Sequence, residues 1–137
     1  MVAIVLMLVS AAIFFVLGTL HLIYTFLGSK LTPRDPALQK RMGEVALILT
    51  KETTVWRCWV GFNASHSMAA MFYGLIYGFL AIAHSSLRFS SPYLLGVGLL
   101  MVGGFFALAK AYWFNIPFVG TGISLACYVA SVVVSLA

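Results

Sequence analysis

Apolar residues fall into four long runs, at positions 2–27, 56–83, 93–114 and 116–136. Each is long enough for a helix that crosses a bilayer, which takes about 20 apolar residues. The first run is interrupted by little besides Ser10, Thr19, His21 and Thr25, and Gly28-Ser29-Lys30 ends it. The polar stretch from Lys30 to Thr53 is the longest on the chain. Within it, Asp35-Pro36 is a helix start, with the aspartate as cap and the proline at the first helical position. Leu38, Met42, Val45 and Leu49 then recur at helical spacing, with Lys40, Arg41 and Glu44 among the polar positions. That pattern predicts an amphipathic helix. It either lies on the headgroups or runs into the second span, since neither Gly nor Pro interrupts Glu44 to Arg57. A polar turn from His84 to Ser91 and Pro92 separate the second and third spans, and Asn115 to Pro117 makes a tight connection to the fourth. The expectation is an all-α, single integral membrane domain over residues 1–137. It is a four-transmembrane-helix bundle with an amphipathic element in its first loop.

Composition strengthens this reading. The chain is 63% hydrophobic and 8% charged, against about a quarter charged in a soluble domain. It lacks the polar residues to cover itself in water, so membrane lipids are its first expected partners. The net charge of +5 is concentrated in the first loop and its flanks, at Lys30, Arg34, Lys40, Arg41, Lys51 and Arg57. Lys110 falls on the same side and Arg88 alone on the other. This asymmetry predicts a cytoplasmic first loop, with both termini outside. It also argues for anionic headgroups over nucleic acid. No basic stretch precedes the first run, which reads as a retained span rather than a signal peptide. Cys58 and Cys127 lie at different expected depths, too far apart for a bridge within the chain.

Polar residues inside the spans carry the candidate chemistry, because such groups are costly in hydrocarbon. The second span holds Asn63, Ser65, His66 and Ser67 near its start. At 1.5 Å per residue, His66 stands about 10 Å above Trp59, and His21 about 9 Å above the end of the first span. Lys110, Thr121 and Ser124 fall in the same cytoplasmic third. Trp59, Asn63, His66, Ala70, Tyr73 and Tyr77 form one helical stripe, beside which Gly74 and Gly78 permit close helix approach. Small-residue faces of this kind predict a homo-oligomer. A pocket open to the cytoplasm follows, one that binds a lipophilic small molecule, and whether it also transforms that molecule is left open. His66 is the candidate catalytic acid–base group, its unperturbed pKa of about 6.5 suiting proton transfer. Asn63, His21, Ser67, Arg57 and Lys110 are candidate ligand-binding residues.

Other readings stay open. The polar layer of a non-catalytic scaffold or accessory subunit would serve only to specify helix packing. His21 and His66 at matched depth would also suit a haem held by two histidines. The residues indicate no protein-held metal ion beyond that, since His21 and His66 lack an obvious third ligand. They leave the cofactor, and whether the protein is an enzyme, undetermined. A Ser-His-acid triad is excluded by adjacent residues pointing apart on a helix and by the absence of an acid to orient the ring. The three acids, Asp35, Glu44 and Glu52, all lie in the first loop.

Two resemblances add to these expectations. The run Trp59-Val60-Gly61-Phe62-Asn63-Ala64-Ser65-His66-Ser67 resembles the central motif of an uncharacterised family of small bacterial four-helix membrane proteins. That resemblance covers nearly the whole chain, implies a bacterial inner-membrane location, and implies no activity. The layout also resembles the membrane-associated eicosanoid and glutathione metabolism proteins, in length, in four spans, in a long first cytoplasmic loop and in termini on the opposite side. Arg57-Cys58 and Ala111-Tyr112 before Pro117 are similar to that family's pattern. The resemblance implies trimers with sites near the cytoplasmic layer. This chain departs from the family where Gly61 to His66 replace a basic and acidic cluster. It departs again where Phe118, Val119 and Gly120 stand in place of an arginine. Most cations that would hold glutathione's carboxylates are therefore missing.

Overall fold

A computed structural model describes residues 1–136. The elements, in order, are α1 (Val2–Phe26), α2 (Pro36–Glu44), α3 (Val55–Ala83), α4 (Ser85–Ser90), α5 (Pro92–Tyr112) and α6 (Asn115–Leu136). Four of them, α1, α3, α5 and α6, are long and apolar enough to cross a membrane. Their outward residues confirm the character: Val5, Val16, Phe62, Phe72, Phe79, Ile82, Leu100 and Val133 are all exposed. A soluble protein would place such residues inside.

Internal contacts group the chain into two compact units, Met1–Leu17 with Ala70–Ala137, and Gly18–Ala69. In the first unit, Met7, Ala11 and Phe14 of α1 form the core with Ala70, Tyr73, Tyr77 and Ala81 of α3, Val102 of α5 and Tyr128 of α6. Two hydroxyls reach across to backbone: Tyr77 donates to the Leu94 carbonyl at 2.5 Å and Tyr128 to the Leu95 carbonyl at 2.7 Å. Ser131 donates to the Ala3 carbonyl at 2.6 Å, joining α6 to α1. Gly74 has the expected role of close approach, since a Cβ there would stand 2.7 Å from both the Ala11 carbonyl oxygen and Phe15 Cβ. At Gly78 an added Cβ would make only ordinary contact.

Ser10 ties three of these segments together. Its Oγ lies 3.0 Å from the Tyr73 hydroxyl and 2.8 Å from Ser124 Oγ, while Ser124 donates to the Ser10 carbonyl at 3.0 Å. A carbonyl only accepts, so the one hydroxyl hydrogen of Ser124 is committed. Ser10 must then donate to Ser124, and Tyr73 to Ser10. All three hydroxyls have a donor role and a partner, and each proton's direction is fixed.

In the second unit, Asp35 caps α2 by accepting from the Ala37 N–H at 2.9 Å, with Pro36 in the first turn. The helix is shorter than its apolar spacing predicts and does not join the second span. Val45 turns extended, Ala46 bridges to Thr54, and the Val55 N–H donates to the Val45 carbonyl at 2.9 Å. The run Thr50-Lys51-Glu52-Thr53-Thr54 explains the break, because threonine hydroxyls offer the backbone local alternatives to a helix. Thr50 Oγ1 accepts from the Glu52 N–H, and Thr54 Oγ1 accepts from the Arg57 N–H at the start of α3. Leu49 and Ile48, expected on or near an apolar face, are instead exposed in this loop.

Candidate functional site

The second unit contains a cavity of about 280 Å³, close to the lower limit of about 300 Å³ for small-molecule sites. Tyr24, Phe26, Trp56 and Trp59 give it aromatic walls, with Leu31 and Val60. Thr25, Thr32, Gln39 and Asn63 supply its polar lining. The wall is of mixed character, with apolar and polar surface in near-equal shares.

Several contacts hold these walls. The turn after α1 depends on Gly28, whose φ of +86° lies in the left-handed region that L side chains avoid. Beyond it, the Leu31 carbonyl accepts from the Trp59 indole N–H at 3.0 Å, so the loop is tied to the foot of α3. Lys30 places its ammonium 4.0 Å from the centre of the Tyr24 ring.

Asn63 is the polar group whose orientation is best defined. Its Nδ2 donates to the Trp59 carbonyl at 2.7 Å, which directs Oδ1 to His21 Nε2 at 2.9 Å. An amide oxygen only accepts, so His21 carries a proton on Nε2, and in the neutral ring Nδ1 is an acceptor. His66 packs against this pair, its ring centroid 5.5 Å from that of His21 at an interplanar angle of 67°. Phe62 stacks on the other histidine of the pair, His66, at 6.4 Å. Ser67 is fully buried and donates back to the Asn63 carbonyl at 2.8 Å.

The candidates named from sequence are thus divided. Asn63, His21, His66 and Ser67 come together in one unit, with Asn63 on the cavity wall and His66 half-buried behind it. Arg57 is exposed at the start of α3 and is not among the lining residues. Lys110 is exposed in the last turn of α5 and belongs to the other unit. Sequence reasoning placed Trp59 on the stripe of Asn63, and it lines the cavity together with Trp56. It did not single out Tyr24 of α1, Leu31 of the loop that follows or Gln39 of α2, which meet at the cavity along a chain path that no periodicity announces. The edge-on contact of the histidine rings, with His21 Nε2 directed at Asn63, is not the open slot that a porphyrin between them requires. Among the described residues no three His, Cys, Asp or Glu side chains cluster closely enough to hold a metal ion. Both cysteines are free.

Arg88 falls outside all of these expectations. Read from the sequence only as the basic residue of a polar turn, it sits on the short helix α4 and is fully buried.

No family model, no curated protein and no solved structure matches the chain.

Proposed function

We propose that this protein is a small four-helix membrane bundle that binds a lipophilic small molecule in the cavity of its second unit. His66 is then the candidate group for proton transfer in that layer. The observation that carries the reading is Asn63, an amide held in one orientation by His21 and the Trp59 carbonyl, on the wall of a cavity that four aromatic side chains also line. Such a group gives orientation to an otherwise apolar ligand. Purified protein is extracted with organic solvent and the extract examined by mass spectrometry. Wild type should retain a stoichiometric apolar compound besides phospholipid. Val60→Trp, which fills the cavity, should lose it, and His66→Gln, which keeps hydrogen bonding, should retain it. A folded Val60→Trp variant that carries the same compound, or a wild type that carries none, defeats the reading.

The orientation, with loop 1 cytoplasmic and both termini outside, rests on the charge asymmetry. In protein freed of Cys58 and Cys127, a cysteine at Gln39 should be labelled only after the membrane is permeabilised, and one at Ser90 from outside. The opposite pattern would reverse the topology. A bacterial inner membrane and assembly of several copies fit the same picture. In its support, Gly96, Gly103 and Gly104 on α5 have open space where a Cβ would stand, which leaves room for another backbone to approach.

A competing class is the packing scaffold. What favours it is the Ser10–Tyr73–Ser124 network, in which polar residues join spans with no ligand involved. His66→Ala separates the two: it leaves a folded protein of unchanged size if the layer serves a ligand, and disturbs assembly if it serves packing.

A further inference from the structure

Arg88 is completely buried, and its Nε, Nη1 and Nη2 all lack a hydrogen-bond partner. A guanidinium does not escape this situation by losing its proton, which it keeps in proteins. Burial lowers its pKa here, which expresses the same desolvation cost. A buried charge left unpaired is strongly destabilising.

The surroundings narrow what the partner is. Every acid on the chain is Asp35, Glu44 or Glu52, so the unit that holds Arg88 contains no acidic side chain. Tyr73, Tyr77 and Tyr128 are near enough to couple electrostatically with the guanidinium. Their hydroxyls give their hydrogens to Leu94, Leu95 and Ser10, and none of their oxygens accepts from the guanidinium. The ring of Phe89 lies 3.4 Å from the guanidinium carbon. An aromatic ring covers the face of the fork, whereas hydrogen bonds leave from its edge in the plane. The phenol layer is itself built in: a Cβ at Gly98 would collide with both Tyr77 and Tyr128.

We propose that Arg88, on α4 between the second and third spans, is a binding site for the oxyanion head of a membrane amphiphile, held bidentately by the edge of the guanidinium. This site is independent of the cavity lined by Asn63 and of the function assigned to it. Exposed Leu87 and Tyr93 flank the arginine in sequence, as an amphiphile's apolar part requires. A phosphodiester and a carboxylate both match the fork. Three probes distinguish the source: dioleoylphosphatidylglycerol, oleate and inorganic phosphate.

The test measures thermal unfolding of the full chain in detergent with each probe, against dioleoylphosphatidylcholine, for wild type and Arg88→Met. A ligand that binds only the folded state raises its melting temperature with concentration. Wild type should gain several degrees from the lipid or the fatty acid beyond the phosphatidylcholine control, and Arg88→Met should gain nothing. Without a probe, Arg88→Met should melt no lower than wild type, because an apolar side chain of similar length replaces an unpaired buried charge. If phosphate alone reproduces the full shift, the site takes a soluble anion and the amphiphile proposal is overturned. It is also overturned if no oxyanion acts beyond the control, or if the gain persists in Arg88→Met. Should Arg88→Met fail to fold, Arg88→Lys takes its place. Lysine keeps the charge without the fork, so the shift should shrink, and an undiminished shift counts against bidentate binding.

Discussion

Ser10, Tyr73 and Ser124 form one polar cluster; His21, Asn63 and His66 form another, in the other unit. Both join residues distant in sequence, and both contain a bond of 2.8–2.9 Å. Their protons and their surroundings distinguish them. In the serine–tyrosine cluster every hydroxyl hydrogen has one assigned acceptor, and Met7, Ala11 and Phe14 nearby on α1 are buried in the same core. Such a network has no free hydroxyl hydrogen to offer a ligand, and its polarisation strengthens each member. The histidine cluster includes a directed bond from His21 to Asn63, and the His66 ring stands in edge contact with His21. Asn63 also borders a cavity. Polarity within a span is therefore not enough to mark a functional site. A closed network specifies packing, whereas an oriented group with open space beside it can take part in recognition.

The strongest way to break this contrast is to strike the packing that keeps the first cluster closed. Gly74→Leu forces a side chain to a position where even its Cβ would stand 2.7 Å from the Ala11 carbonyl oxygen. Backbone cannot yield cheaply there. Overpacking typically costs about 1–3 kcal/mol, and contact with backbone puts this case at or above the upper end. The variant should lose its folded size in detergent and its cooperative thermal transition. Unchanged size and melting temperature would show that α3 does not pack on α1 at Gly74.

An intermediate effect compares the clusters directly. Ser10→Val removes the acceptor of Tyr73 and the donor to Ser124 in a fully buried setting. Each stranded group costs about 1–3 kcal/mol. Asn63→Leu strands the His21 Nε2–H, but His21 is only half-buried, and the penalty should be about 1 kcal/mol. Thermal unfolding should rank Ser10→Val as the more harmful of the two, with loss of the bound compound reserved for Asn63→Leu. The reverse ranking would make the histidine layer the structural one.

Much of the architecture was legible because membrane spans are written in long apolar runs. Expected bounds of 2–27, 56–83, 93–114 and 116–136 meet helices at Val2–Phe26, Val55–Ala83, Pro92–Tyr112 and Asn115–Leu136. The Asp35-Pro36 start was equally readable, since a cap acts within three residues. The stop at Glu44 was not. No glycine or proline marks it, and a bridge between Ala46 and Thr54 decides it. At the candidate site, depth along a helix brought His21 and His66 together on paper, because rise per residue is fixed. Azimuth was harder. Arg57 follows Trp56, a lining residue, yet is itself exposed and off the wall. Ser10 read only as an interruption of an apolar run, and Arg88 only as the basic residue of a polar turn. Both owe their roles to partners or surroundings far along the chain, which local pattern cannot reveal.

The smallest expected effect sharpens the contrast from the other side, on the same helix as Gly74. Gly61 has no atom within 4 Å of an added Cβ and its residue is exposed. Glycine inside a helix is less favourable than alanine by about 0.8–1.0 kcal/mol, because it surrenders more backbone freedom on folding. Gly61→Ala should therefore raise the melting temperature slightly and leave the bound compound in place. Asn63 and Trp59 stay two residues to either side, with their bonds untouched. A drop in stability instead would mean that something approaches this position in the assembled protein. Within one copy nothing does, so the approaching surface would belong to a second copy, and the face of α3 at Gly61 would be its interface. Cross-linking of the wild type and of Gly61→Ala would then separate a weakened assembly from a weakened fold.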